Sequence, residues 1–125
     1  MLEFRVAAAS EAFSGAAVCY VALDEAKQFA EHISGFPVST SDVREYQLGS
    51  PGGIGMGGGH LVFKCADGSG HLIVEVQIWA ERLPGGAQSA SVFLNTVPAC
   101  IDSFVAELLA MGTKEGARAS LLNAT

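Results

Sequence analysis

Two apolar segments joined by a four-residue turn constrain this chain more than any other feature. Residues 60–66 and 71–80 are rich in aliphatic and β-branched side chains, and the sequence between them is Asp-Gly-Ser-Gly. This turn offers glycines where a positive φ is needed, so the two segments are predicted to form a β-hairpin. If Ala66 faces His71, every residue pair on one face is apolar: Leu61 with Val76, Phe63 with Val74, and Cys65 with Leu72. That face is therefore predicted to lie in the core.

The other face of the hairpin carries polar side chains and the single tryptophan. Continuing the alternation along the second strand points four residues outward, namely Glu75, Gln77, Trp79 and Glu81. An aromatic side chain among polar groups on an exposed face is a common anchor of protein interfaces. We therefore predict that these four residues form a partner-binding surface. The alternative is that Trp79 only covers the sheet beside Phe93.

The remaining segments complete an α+β pattern. Alternating apolar residues predict four further strands, over residues 4–8, 16–23, 45–48 and 89–97. Apolar residues three and four positions apart predict two helices, one after Asp24 that ends at Gly35 and one that runs from Pro98 to Gly112. The order ββαββββα favours a mainly antiparallel sheet of about five to six strands with both helices on one face.

Length and charge limit the classes of protein to which this chain can belong. Its 125 residues fit one domain, predicted over residues 1–112, followed by a tail over residues 113–125 that is frayed or briefly docked. With 13 acidic and 7 basic residues the net charge is -6, which disfavours nucleic-acid and anionic-membrane partners. No run of 18 apolar residues could span a membrane, and residues 1–9 do not resemble a secretory signal. We expect a mature start at Met1 and a cytoplasmic location.

A glycine-rich segment, residues 49–59, separates two of the predicted strands. It contains Gly-Ile-Gly-Met-Gly-Gly over residues 53–58, which matches a dinucleotide-binding pattern. That pattern binds phosphates only where a strand precedes it and a helix follows, whereas here a strand follows. We therefore predict a mobile connecting loop and no nucleotide cofactor.

The histidines and cysteines are the residues of this sequence best suited to a metal or catalytic site. His60, Cys65 and His71 are close in sequence, but the predicted register places Cys65 on the core face and His71 on the opposite face, so no metal site is expected. Cys19, Cys65 and Cys100 lie in apolar segments without a C-x-x-C pair and are predicted to be free thiols in a reducing compartment. A pairing of Cys19 or Cys100 with one of the three histidines stays open, because catalytic groups can come from distant parts of a sequence. Since no local cysteine-protease signature surrounds either cysteine and no paired carboxylates stand out, we predict that the chain is not an enzyme.

The order of the segments resembles a known family. The features that carry the resemblance are Phe13-Ser14-Gly15 before a strand ending in Tyr20-Val21, Leu23-Asp24-Glu25 opening a helix with Phe29, the strands Gly70-His71-Leu72-Ile73-Val74-Glu75-Val76 and Ser91-Val92-Phe93-Leu94, and a last helix with Phe104 and Leu108. Over residues 13–111 this order resembles small bacterial immunity proteins of the kind paired with wall-associated contact toxins, and their uncharacterised relatives. The family has a shorter link where this chain has residues 49–59, and its polar strand faces are more charged.

The resemblance implies a non-enzymatic antidote that binds a cognate toxin domain and blocks it sterically. An acidic chain suits this role, because nuclease toxins are commonly basic and opposite charges speed association. Two other predictions remain open. One is a small-molecule-binding domain with an apolar pocket behind residues 49–59, and the other is a homodimer formed through a sheet face or edge.

Overall fold

Six antiparallel strands and two helices make up the structure, a computed structural model that describes residues 1–49, 57–81 and 86–123. The elements are β1 (Leu2–Ala9), β2 (Ser14–Val21), α1 (Glu25–Ile33), β3 (Val43–Leu48), β4 (Gly58–Cys65), β5 (Leu72–Ala80), β6 (Gln88–Thr96) and α2 (Pro98–Met111). The α+β class and the order ββαββββα are confirmed. The prediction of one sheet is wrong, because β1 and β2 form a two-stranded sheet and the other strands form a four-stranded sheet in the order β3-β4-β5-β6.

The central hairpin of β4 and β5 has the predicted register. All three residue pairs expected on its core face are present. At the turn, the Ala66 N–H donates to the His71 carbonyl at 2.8 Å. The Asp67 carboxylate accepts the Ser69 N–H at 2.7 Å and contacts His71 Nδ1 at 2.7 Å. Local turn chemistry and apolar alternation therefore agree on a single register.

Both helices cover the inner face of the four-stranded sheet, the face that carries Phe63. The Phe29 ring of α1 packs edge-on against Phe104 of α2, with 5.6 Å between ring centroids, and against Phe63, with 6.3 Å. Pro98 begins α2, as expected for a residue without a backbone N–H, and Asp24 precedes α1 without making a side-chain cap. Among the residues described, no helix is long and apolar enough to cross a membrane.

The β1–β2 hairpin lies against the same inner face instead of extending the sheet. Its small residues allow a close approach: a Cβ built on Gly15 would lie 3.4 Å from Ala90 Cβ, and one on Gly59 would lie 3.3 Å from Val6 Cγ1. Alternate residues of β2, including Cys19, are buried. Stacking the hairpin on the sheet buries these alternate residues of β2 and covers the end of the inner face where Gly59 and Ala90 lie.

Three glycines of the predicted mobile loop are in fact buried. Gly58 and Gly59 belong to β4, and the Gly57 N–H donates to the Val18 carbonyl of β2 at 3.0 Å. The prediction of a mobile loop is therefore wrong for these residues, because their backbone is fixed between two layers. Residues 50–56, with most of the dinucleotide-like pattern, lie outside the described residues.

Arg44 connects β3 to the end of α1. Its Nη1 donates to the carbonyls of Ser34 at 2.8 Å and His32 at 3.2 Å, which satisfies carbonyls at the C-terminus of the helix. Its Nη2 and Nε contact the Asp42 carboxylate at 2.9 Å and 3.4 Å, and the guanidinium lies 5.4 Å from the centroid of the Phe36 ring. The Arg44 and Asp42 side chains are only 18% and 12% exposed, so this pair is well shielded from solvent. It holds α1 against the edge strand.

After α2 the chain returns to β6. The Thr96 hydroxyl donates to the Leu122 carbonyl at 2.9 Å, and the Asn95 N–H donates to Asn123 Oδ1 at 2.8 Å. Thr96 is buried, so its hydrogen bond to the tail satisfies a polar group in the core. The described part of the tail is therefore docked along one end of β6.

Candidate protein-binding surface

The outer face of the four-stranded sheet points away from both helices and from the β1–β2 hairpin. Because side chains alternate along a strand, the register defines which outer-face residues are neighbours. Two adjacent rows of four residues cross the sheet, Val43–Lys64–Ile73–Asn95 and Glu45–Val62–Glu75–Phe93. We call these eight residues the outer-face patch.

Apolar and polar residues alternate within this patch. Val43 and Ile73 in one row and Val62 and Phe93 in the other are diagonal neighbours, so the four apolar side chains form a zigzag across all four strands. Val43 is 56% exposed and Phe93 is 55% exposed. Apolar side chains that neighbour each other on an uncovered sheet face mark an interaction surface more specifically than scattered ones do.

The polar half of the patch is weakly acidic. Its charged members are Glu45, Glu75 and Lys64, and the Glu45 carboxylate also lies 3.8 Å from His60 Nε2 on the neighbouring strand. Lys64 and Glu75 are diagonal neighbours that alternate with the apolar side chains. Carboxylates around apolar residues resemble the mixed rim of protein interfaces and favour a partner of opposite charge.

The structure brings three of the four sequence-predicted site residues onto this face. Glu75, Gln77 and Trp79 occupy alternate positions of β5, with Gln77 exposed and the other two half-buried. Glu81 lies one residue beyond the end of β5. The predicted surface is therefore centred on β5, whereas the exposed apolar side chains extend to Phe93 on β6.

Trp79 packs on Gly58, which lies directly opposite it in β4. A Cβ built on Gly58 would lie 2.5 Å from Trp79 Cζ2 and 2.9 Å from Cε2, so the indole occupies the space that a side chain would take. Its Nε1 is buried, with no hydrogen-bond partner among the described residues. Trp79 therefore covers the sheet on the β4 side, while its β6 neighbour is Ser89 and not Phe93.

Phe93 is the aromatic residue that the sequence-based site omitted. It lies opposite Glu75 on β6 and leaves more than half of its side chain in solvent. The signal that could have identified it was present in the alternation of β6, where Phe93 follows Ser91 on the outward positions. Trp79 is the single tryptophan of the chain, but it is the more buried of the two aromatic residues.

The residues considered for a metal site lie apart. The Cys65 thiol donates to the Ser39 carbonyl at 3.7 Å, His60 points to the outer face beside Glu45, and the His71 ring contacts the turn carboxylate of Asp67. Within residues 1–49, 57–81 and 86–123 there is no group of three or more His, Cys, Asp or Glu side chains that could hold a metal ion.

Each cysteine is a free thiol. Burial raises the pKa of Cys19 to about 11, with a further contribution from the negative charge of Glu25. A thiol with that pKa is protonated at neutral pH and is a poor nucleophile. Cys65 and Cys100 are half-buried.

The space behind the described glycines is filled. A Cβ on Gly57 would lie 2.8 Å from Ala17 Cβ, and one on Gly49 would lie 3.1 Å from Cys19 Cβ, so β2 packs directly against them. A surface depression of about 330 Å³ lies elsewhere, on the β1–β2 hairpin, and is lined largely by alanine, with Arg5 and Ser14 as its polar residues. These contacts do not favour a small-molecule pocket behind the glycines.

Comparison with protein-family models, with curated proteins and with solved structures finds no match for this chain. Any function proposed for it therefore depends on the geometry of the outer face, its charge, and the resemblance in segment order.

Proposed function

We propose that this chain is a non-enzymatic protein-binding domain and that the outer-face patch is its binding surface. The observation that carries the proposal is the apolar zigzag, in which Phe93 and Val43 are more than half exposed on a face that the rest of the described chain leaves open. Aromatic side chains that become fully desolvated dominate the binding energy of many interfaces. Phe93 is the anchor, and the half-buried Trp79 supports the sheet next to it.

The partner that fits this surface is a basic, folded protein domain. The chain has a net charge of -6, and Glu45 and Glu75 lie among the apolar residues of the patch. A basic partner would be attracted over a distance and then held by apolar contact. In agreement with the resemblance in segment order, we take this partner to be a cognate bacterial toxin domain, which the chain would block sterically.

The groups most suited to catalysis support a binding role over an enzymatic one. Cys19 is buried with a raised pKa. His71 is engaged by the Asp67 carboxylate at 2.7 Å, and His60 lies 3.8 Å from Glu45 on an open face. Among the described residues no hydrogen bond joins the Cys19 thiol to either histidine, so the geometry gives no nucleophile–base contact of the kind that acyl-transfer enzymes use.

The test is a calorimetric titration of the folded chain with the toxin-like C-terminal domain of a large secreted protein encoded beside its gene. Phe93→Ala is expected to weaken binding by about 30-fold, which corresponds to about 2 kcal/mol for loss of an interface anchor. The matched control is Leu109→Ala on α2, since Leu109 and Phe93 are both 55% exposed. Circular dichroism confirms that each variant is folded.

Three outcomes decide the proposal. Loss of affinity for Phe93→Ala but not for Leu109→Ala supports the patch. Equal binding by both variants overturns the choice of face, and absence of binding by the folded wild type overturns the toxin as partner. Trp79→Ala is a weaker probe, because removing the indole from Gly58 would also disturb the sheet. Glu75→Gln is expected to slow association and to reduce its dependence on salt.

A further inference from the structure

Along the edge that faces away from β5, β6 has backbone N–H and C=O groups without a hydrogen-bond partner among the described residues. The Asn95 N–H donates to Asn123 Oδ1, so this N–H points away from β5. In an antiparallel pair, the N–H and C=O of one residue point to the same side, and the side alternates from residue to residue. The backbone groups of Ser89, Ser91 and Phe93 therefore also point away from β5.

A hydrogen bond between β4 and β5 leads independently to the same assignment of which β6 residues direct their backbone groups away from β5. The Ala66 N–H donates to the His71 carbonyl, so Lys64 and Ile73, two residues further along, form a hydrogen-bonded pair of β4 and β5. The N–H and C=O of Ile73 then point away from β6. Asn95 lies opposite Ile73, so its N–H and C=O point away from β5. Two independent contacts thus identify the free groups of the edge.

This edge is open and lacks the usual protection. Ser89, Ser91 and Phe93 are exposed, and no hydrogen bond to their backbone groups is found outside the β5–β6 ladder among the described residues. The tail occupies only the end of the strand, at Asn95 and Thr96. Edge strands are normally protected by charged residues, prolines or bulges, but β6 is nine residues long and contains neither a charge nor a proline.

We propose that two copies of this chain pair antiparallel through β6 and join their four-stranded sheets into one continuous sheet. With Asn95 occupied by the tail, the free residues are centred on Ser91, and this sets the register. Ser91 lies opposite Ser91 of the second copy, and Ser89 lies opposite Phe93 of the second copy. Both free backbone groups of each of these residues are then paired, as in other cases of strand addition.

The distribution of charged residues on the two edge strands favours pairing of β6 with β6 of a second copy over pairing through β3. Self-pairing of β6 places two serines at the two-fold axis and brings no like charges together. The other edge strand, β3, presents Val43, Glu45 and Gln47, so its self-pairing would place Glu45 opposite Glu45, which is destabilising. Pairing β3 with β6 would be head-to-tail and would not close into a dimer.

The proposed register also covers an exposed aromatic ring. Phe93 of one copy lies opposite Ser89 of the other, and Ser89 is the β6 neighbour of Trp79. The small serine leaves room above the sheet for the Phe93 ring, which is 55% exposed in the single chain. The dimer does not depend on the proposed function, because the toxin could bind a monomer and the dimer could form without a toxin.

Sedimentation velocity tests the dimer with the full chain, from low micromolar to near-millimolar concentration. The wild type is expected to show a concentration-dependent equilibrium of monomer and dimer. Ser91→Glu places two carboxylates at the axis and should weaken the dimer at least about tenfold. Ser103→Glu, on the exposed side of α2, is the control with the same change of charge and should leave the dimer unchanged. A wild type that stays monomeric throughout, or a Ser91→Glu variant that dimerises normally, overturns the proposal.

Disulfide cross-linking tests the register separately. Ser91→Cys is expected to form a dimer linked at position 91 under mild oxidation, since the two positions face each other. Ser89→Cys should cross-link poorly to itself, because the two copies of position 89 are offset by four residues, or about 13 Å along the strand. Both variants keep the three native cysteines, so these contribute equally. Mass spectrometry locates the bond, and equal self-linking at both positions overturns the register.

Discussion

Gly58→Ala is the substitution that most directly tests the contact between Trp79 and β4 on the outer face. A methyl group at this position would lie 2.5 Å from Trp79 Cζ2 on the outer face, and it would also meet the Leu48 carbonyl oxygen of β3. Carbon atoms in contact normally lie about 3.5–4.0 Å apart, so the indole must move by roughly 1 Å. The carbonyl is part of the backbone and cannot rotate away, so the strand pairing must shift as well.

The expected loss follows from overpacking. Forcing a methyl group into a filled site typically destabilises a protein by about 1–3 kcal/mol. In a chain of this size 1 kcal/mol lowers the melting temperature by about 3–6 °C, so Gly58→Ala should lower it by about 3–18 °C. Gly68→Ala is the matched control, because nothing lies within 4 Å of its Cβ and its φ is not positive. That substitution should be neutral or stabilise the chain by up to about 1 kcal/mol.

Two measurements together test this reasoning. Urea unfolding compares the free energies of the two alanine variants, and fluorescence reports directly on the indole, because Trp79 is the single tryptophan. Gly58→Ala should shift the emission of the folded protein, whereas Gly68→Ala should not. If Gly58→Ala is as stable as Gly68→Ala and its emission is unchanged, then Trp79 does not pack on β4, and the described geometry of the outer face is wrong.

Three further predictions concern the core, acid stability and the thiols. Phe104→Ala should lower the unfolding free energy by about 3–5 kcal/mol, because Phe104 is 8% exposed and packs on Phe29; a loss under about 1 kcal/mol in urea unfolding would contradict this. Hydrogen bonds from Arg44 and from the Val38 N–H lower the pKa of Asp42 in the folded protein. The ionised carboxylate therefore stabilises the fold at pH values above the unfolded pKa of about 3.9, and this stabilisation is lost as the pH falls through the lower pKa of the folded state. Urea midpoints of Asp42→Asn should therefore fall less than those of the wild type from about pH 5 to about pH 2, and parallel curves would count against the Arg44 contact. In the native protein at about pH 8, a thiol reagent should modify Cys19 far more slowly than the two half-buried cysteines, whereas equally fast labelling of all three would contradict the burial of Cys19.

The central hairpin could be predicted to the residue because its determinants are local. The turn supplies Asp67 and two glycines, and a register shift by one would exchange the apolar face for the polar one. Helix positions were predicted for the same reason, since an apolar stripe and a terminating glycine or proline lie within one short window. None of these features depends on residues far away in sequence.

The split into two sheets could not be predicted in the same way. Alternation along β2 shows that Ala17 and Cys19 share a buried face, but it does not show which element covers that face. The deciding contacts join distant segments, such as Gly57 to Val18 and Gly15 to Ala90. Glycines that look like a flexible loop in sequence are required here for a close approach between layers.

The candidate site was predicted in part for related reasons. Strand alternation placed Glu75, Gln77 and Trp79 on one face, as observed. It could not show that Trp79 rests on Gly58, because that contact depends on the partner strand having no side chain at the opposite position. It also did not show that Phe93 would be the more exposed aromatic residue.

The layering of the fold leaves the outer face as the surface that we propose for partner binding. The inner face is already covered by two helices and by the β1–β2 hairpin, and its residues are almost completely buried. The opposite face has no covering layer among the described residues, yet it keeps the apolar zigzag formed by Val43, Val62, Ile73 and Phe93. Glu75 and Lys64 alternate with these side chains and keep the exposed apolar area narrow, which limits non-specific association. A partner that covers the whole face at once would bury the apolar side chains together, so the alternation is compatible with selective binding by one complementary surface and unfavourable for general aggregation.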